Sequence, residues 1–333
     1  MNKYHAMIKC KTLLATDLQN INEIPHDVDI LFFEDHVGND DSSNNAWAQL
    51  NQFVNQDTST IFIIEYFFSD DLINNTKTLC LPFQAYHTGL AMSKLLPKQP
   101  WGEKTTAFNF SINKLRYNRS WLLQELEKFQ LTTQAYSVYQ STVASFPDQF
   151  WLTDACDAKF GYVNNNDLKN IEIYHHYLKH KVYEPSFISL ITEPGWNDHS
   201  TTLTEKTLFA FESGTIPIWI GGYQQAQQLK NLGFDVFDDV VDHSYQFISD
   251  PVERMQQAIK SNLNLLKNPV QLKNFFEDNQ ARFCHNRDHA RSGNWFYIHL
   301  NRELSRVTLT VPQLSELYRR LIIEHNCQWP RIK

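Results

Sequence analysis

The sequence predicts an α/β protein of two domains, on three observations. Residues 186–222 read as strand, loop, helix, strand and glycine turn. That is a βαβ unit, which implies a parallel sheet with helices packed on it. The first 100 residues hold two more short apolar runs separated by a helical stretch, again the pattern of a parallel layer. The chain has 333 residues, too many for one small core. The expected division is 1–100, 101–300 and a helical extension over 301–333.

In the first region Val28 to Phe33 is an apolar strand that runs into Glu34, Asp35 and His36. Residues 38–45 are polar loop, and Ala46 to Val54 reads as a helix. Ile61 to Ile64 is a second strand, ending at Glu65 and Tyr66. Both strands thus end in acids, on the side where open α/β sheets hold their ligands. Leu81 to Leu96 reads as a helix opening after Pro82, and Pro97 to Lys104 as a linker.

The second region opens with the strand Thr106 to Phe110. Lys114, Arg116 and Arg119 follow, three cations between a strand and the helix expected over Ser120 to Phe129. In a parallel sheet that edge is where phosphates dock. Arg119 has a plainer alternative, pairing with Glu125 or a nearby carboxylate. Residues 131–185 show no clear period. Their aromatic residues (Phe160, Tyr162, Tyr174, Tyr177, Tyr183) fit either a wall beside a nucleotide base or half-buried surface.

Ser186 to Glu193 is a short apolar strand ending in an acid, and Pro194 to Ser200 is loop. Thr204 is a good N-cap, with Glu205 in the first turn. Leu208, Phe209 and Phe211 supply the apolar positions, and Gly214 sits where a helix end needs positive φ. Lys206 opposes the helix dipole at this position. It either reaches a phosphate or is a solvated lysine balanced by Glu205. Ile216 to Ile220 is the next strand, closed by Gly221 and Gly222. Further on, 224–231 reads as a helix ended by Gly233, and 234–237 as a short strand. Residues 251–266 and 270–287 read as helices, 295 onward as a short apolar stretch, and 312–325 as a last helix.

Composition excludes several classes. Hydrophobic content of 42% and charged content of 20% are ordinary for a globular protein. A net charge of −7 disfavours nucleic acid or an anionic membrane as partner. Five cysteines without a CxxC pair argue against a disulfide framework and for a reducing compartment. No apolar leader opens the chain and no run is long enough to span a membrane, so a cytoplasmic location is expected. Asp27 and Asp29 have DxD spacing but precede a strand, so they read as flanking polarity rather than metal ligands. His285, His289 and Cys284 lack further ligands at zinc spacing. There is no P-loop, GxSxG or GxGxxG.

Glu193, a loop of about ten residues, and Thr204-Glu205-Lys206 resemble the donor-binding signature of the α-1,3-fucosyltransferases. In that family a strand ends in Phe-Glu-Asn and a helix then starts with Thr-Glu-Lys. Gly221-Gly222, Leu232-Gly233-Phe234 and Val241 to Tyr245 extend the resemblance to fucosyltransferase-like and exostosin-like proteins of bacteria and phages. It covers roughly residues 105–290. Thr192-Glu193-Pro194 departs from the family's Phe-Glu-Asn, which bears on the sugar more than on the phosphate site.

The resemblance implies two Rossmann-like domains facing across a cleft, the arrangement called GT-B. The first domain would take the acceptor and the second the nucleotide sugar, possibly GDP-linked. The implied reaction is an inverting sugar transfer to a glycan or other hydroxyl acceptor. Arg119, with Lys114 and Arg116 beside it, and Lys206 would carry the diphosphate without a metal or other cofactor. Glu193, Thr204, Glu205, Gly221 and Gly222 would line the donor site. Glu65, then Glu34 and Asp35, are the candidate bases. A non-catalytic nucleotide- or carbohydrate-binding module is the alternative, and modified phage DNA an alternative acceptor, which the acidic balance disfavours. The sequence does not specify an oligomeric state.

Overall fold

The computed structural model describes residues 12–15, 30–33, 61–64, 67–68, 78–112, 117–131, 136–140, 183–193 and 200–326. The chain opens with strands β1 (Thr12–Ala15), β2 (Ile30–Phe33), β3 (Ile61–Ile64), β4 (Phe67–Phe68) and β5 (Thr78–Cys80). Four of these form a parallel sheet in the order β1-β2-β3-β5. The continuous apolar runs of β2 and β3 suit parallel strands, which are covered on both faces. Their ends are in register, Phe33 opposite Ile64. Glu34, Asp35, Glu65, Asp27, Asp29 and the helix expected over 46–54 lie outside the described residues.

Helix α1 (Phe83–Leu95) opens after Pro82, whose missing N–H is no loss at a helix start. The stretch from Pro97 to Lys104 is irregular but well anchored. The Trp101 indole N–H donates to the Glu212 carbonyl at 2.8 Å. The Lys104 ammonium donates to the carbonyls of Glu184, Ser186 and Ser213.

The second sheet comes from β6 (Thr106–Ile112), β7 (Tyr136–Gln140), β8 (Ser186–Ile191) and β10 (Ile216–Trp219). Helix α2 (Tyr117–Lys128) follows β6. Strand β9 (Ser200–Thr201) and helix α3 (Glu205–Glu212) lie between β8 and β10. All four strands are parallel, in the order β10-β8-β6-β7. From β6 the chain steps outward one way to β7, and from β8 it steps outward the other way to β10. The order therefore reverses between β6 and β8. Such a reversal opens a crevice at the carboxyl ends of the two strands. Outside the sheets, β9 pairs antiparallel with β4.

Strand alternation sorts two cores. Leu190 and Ile218 face a cluster with Phe108, Leu122 and Leu126 of α2. Ile191 and Trp219 join a second cluster with Leu208 and Phe211 of α3 and Tyr86 of α1. Helices α2 and α3 thus cover opposite faces. Helix α4 (Gln225–Asn231) follows β10, and from Pro251 the described residues are mainly helical: α5 (Pro251–Ser261), α6 (Leu263–Leu266), α7 (Pro269–Asp278), α8 (Gln280–Ser292), α9 (Asn294–Arg306) and α10 (Val311–Asn326). Helix α9 returns to the first sheet. The Cys80 N–H donates to Glu303 Oε2 at 3.1 Å, and His299 Nε2 donates to the Cys80 carbonyl at 2.5 Å.

Several local expectations need correction. Residues 234–237 are not a strand. Asp235 Oδ1 accepts the Phe237 N–H at 2.9 Å, a side-chain turn, and Phe237 adopts φ +57°. The helix expected over 251–266 breaks at Asn262, whose amide exchanges hydrogen bonds with the Asp242 backbone. The next one breaks at Asn279 and continues to Ser292. Residues 294–306 are a full helix rather than a short stretch. Helix α2 begins three residues before Ser120, which puts Arg119 inside its first turn.

Candidate functional site

Two helix starts and one strand end meet at the crevice between β6 and β8. Thr192 and Glu193 follow β8 and are 1% and 3% exposed. Arg119 Nε donates to the Thr192 hydroxyl at 3.3 Å. Asn118 Nδ2 donates to the Glu193 carbonyl at 3.3 Å. The first turn of α2 is thereby tied to the end of β8.

The side chain of Glu193 turns toward α3. Its carboxylate accepts from the Thr204 hydroxyl at 2.6 Å, the Thr204 N–H at 3.3 Å and the Thr207 hydroxyl at 3.1 Å. The Thr207 hydroxyl in turn accepts from the Trp219 indole at 2.9 Å. Thr204 is the N-cap, its hydroxyl accepting from the Lys206 N–H at 3.3 Å. The same hydroxyl accepts from Lys206 Nζ at 3.1 Å, and Nζ also donates to Glu205 Oε1 at 3.1 Å. Glu193 Oε2 stands 3.8 Å from Nζ.

The two acids therefore differ. Burial pushes the Glu193 carboxyl above the usual range, against the charge of Lys206 and the Thr204 hydrogen bonds. Burial acts in the same sense on Glu205. There it is outweighed by the charge and hydrogen bond of Lys206, with Arg119 assisting, so Glu205 lies below its ordinary value. Glu205 is also the more open of the two, its side chain 27% exposed against 4% for Glu193.

The glycine turn after β10 flanks this group. Gly221 adopts φ +91°, and its carbonyl accepts from Arg254 Nε at 2.8 Å. At Gly222 an added Cβ would come within 3.0 Å of the Gln225 side chain, whose Nε2 donates to the Thr202 carbonyl at 2.7 Å. Arg254, fully buried, also holds the Ile248 carbonyl at 2.7 Å.

Of the expected donor-side residues, Arg119, Glu193, Thr204, Glu205 and Lys206 come together at the crevice, with Gly221 and Gly222 on the next strand end. Lys114 and Arg116 lie outside the described residues. Asn118, Thr207 and Arg254 are not singled out by the sequence, and Thr192 stands there only as a departure from the family motif. Thr207, three residues after an N-cap, carries a usable signal in the sequence, whereas Arg254, in a polar helix, carries none. His285 and His289 donate through Nε2 to the carbonyls of Gly233 and Leu232, securing the end of α4. Among the described residues no group of three or more His, Cys, Asp or Glu is placed to hold a metal ion, and no helix is long and apolar enough to cross a membrane. No protein-family model and no curated protein matches the chain.

Proposed function

We propose that this protein is a glycosyltransferase that moves a sugar from a nucleotide-sugar donor to a hydroxyl acceptor. One observation carries the reading. Two helix starts bearing Arg119 and Lys206 converge at the strand-order reversal, joined through Thr192, Glu193 and Glu205. Paired cations at the positive ends of two helix dipoles suit a diphosphate. An open carboxylate beside them, Glu205, suits the hydroxyls of a ribose or sugar. The likeness of Thr204-Glu205-Lys206 to the fucosyltransferase helix start supports the same ligand and favours a GDP-linked sugar.

In the proposed reaction the acceptor oxygen attacks the anomeric carbon, and the bond from that carbon to the diphosphate oxygen breaks. The electron pair leaves with the nucleoside diphosphate, whose charge Arg119 and Lys206 offset without a metal. The acceptor proton goes to a carboxylate on the opposite domain. Glu34 and Glu65, which follow the paired strand ends Phe33 and Ile64 in sequence, are the candidates, with Asp35 beside the first. This arrangement is the two-domain GT-B architecture, with the acceptor on the first sheet.

The test is a thermal-shift panel of ADP, GDP, UDP, CDP and their sugars. A ligand at 100 times its Kd adds about 2.7 kcal/mol of stability. At least one diphosphate should raise Tm, and Arg119→Ala or Lys206→Ala should abolish the rise. No shift with any of them overturns the reading. Binding without donor turnover, with or without acceptor, would instead identify a nucleotide-binding module.

A further inference from the structure

We infer that Glu193 is a positioning residue, which sets the two cations of the anion site without touching the ligand itself. The inference rests on the nucleotide reading above and assigns the two acids beside Lys206 different work. A carboxylate has about four acceptor sites. Three of those on Glu193 are filled by the Thr204 N–H, the Thr204 hydroxyl and the Thr207 hydroxyl, and the Lys206 ammonium stands off the remaining space at 3.8 Å. A sugar hydroxyl has no place left there. Glu205, with a more exposed side chain that accepts from Lys206 and from its own N–H, keeps such a place.

The route from Glu193 to Lys206 runs through one hydroxyl. Thr204 gives its only proton to Glu193 Oε2 at 2.6 Å. Its lone pairs are thereby presented to the Lys206 N–H and Nζ, at 3.3 and 3.1 Å. Without the carboxylate the hydroxyl proton is free to turn toward the ammonium, and the lysine loses its seat. Thr207 fixes the other carboxylate oxygen and is itself fixed by the fully buried Trp219. Meanwhile the Thr192 hydroxyl holds Arg119 and the Glu193 carbonyl holds Asn118. One dipeptide therefore sets the separation of the two cations.

The experiment is a double-mutant cycle read by calorimetric binding of inorganic pyrophosphate, the portion of the donor that Arg119 and Lys206 would hold. Lys206→Met alone tests the functional reading: unchanged affinity, or no binding by the wild type, overturns that reading and this inference together. With that arm passed, Glu193→Gln should weaken binding roughly tenfold, the usual effect of losing one hydrogen bond to a charged group. The double variant should bind no more weakly than Lys206→Met, because Glu193 acts through the lysine. Multiplying effects would mean that Glu193 meets the ligand directly, and wild-type affinity of Glu193→Gln would mean that it positions nothing; either overturns the inference while sparing the nucleotide reading. Thr204→Ser, which keeps the hydroxyl, should bind like wild type, and Thr204→Val like Lys206→Met. That pair decides the matter by the same criteria should Glu193→Gln fail to fold.

Discussion

The indole N–H of Trp219 donates to the hydroxyl of Thr207 at 2.9 Å, and Trp219 is completely buried. The same hydroxyl donates to Glu193. Thr207→Val keeps the shape and orphans a buried N–H, which costs about 1–3 kcal/mol. Thr207→Ser should stay within about 1 kcal/mol of wild type. Urea unfolding of the two variants checks this, and equal midpoints would show that the hydroxyl carries no weight.

Gly89 inverts an ordinary helix rule. Alanine normally stabilises a helix interior over glycine by about 1 kcal/mol. Here an added Cβ would lie 2.5 Å from the Ala290 carbonyl oxygen, on the backbone of α8. Two helices would have to part, and overpacking of this kind costs about 1–3 kcal/mol. Gly89→Ala should therefore unfold at lower temperature than wild type; a higher Tm would overturn the close approach.

Lys104 should make stability rise on the alkaline side. Burial pulls its ammonium from 10.5 down to about 7, against the charge of Glu184. Between those values the unfolded chain holds a proton that the folded chain lacks, so stability increases with pH across the window. Lys104→Met should flatten the increase between pH 7 and pH 9, whatever its effect on absolute stability. Denaturant midpoints at the two pH values suffice. An unchanged slope would locate the titration elsewhere.

His299 acts on the acid side. Burial holds its pKa at about 3, while the Cys80 carbonyl that it bonds works the other way. The unfolded chain protonates near 6.5, so stability is lost as pH falls from there toward 3. His299→Gln retains an N–H for Cys80 and cannot titrate. Its acid unfolding should begin at lower pH than that of wild type; an earlier onset would show that the hydrogen bond, rather than the titration, dominates.

Strands were legible where the chain is apolar without interruption, as in Ile61–Ile64 and Ile216–Trp219, because burial on both faces leaves that imprint. The α3 cap was legible because Thr204 must supply an oxygen to the Lys206 N–H. Breaks at Asn262 and Asn279 were not, since each side chain acts on backbone that only tertiary folding brings near or on a local carbonyl four residues back. Strand β7 hid in a stretch without period. At the site, spacing alone could not distinguish Glu193 from Glu205. Their difference lies in which hydroxyls surround them, and Thr207 and Thr192 face the site only once β8 and α3 are packed.

The contact between Cys80 and Glu303 joins positions 223 residues apart. On a ribosome adding 5–20 residues per second, the partner of that N–H emerges about 10–45 seconds after the strand itself. For that interval β5, outermost in the first sheet among the described residues, has neither Glu303 nor His299 to hold it. A nascent chain halted before α9 would thus carry an open strand edge, a template for pairing with its neighbours on the polysome. Helix α9, made long after β5, is in this sense what holds that edge.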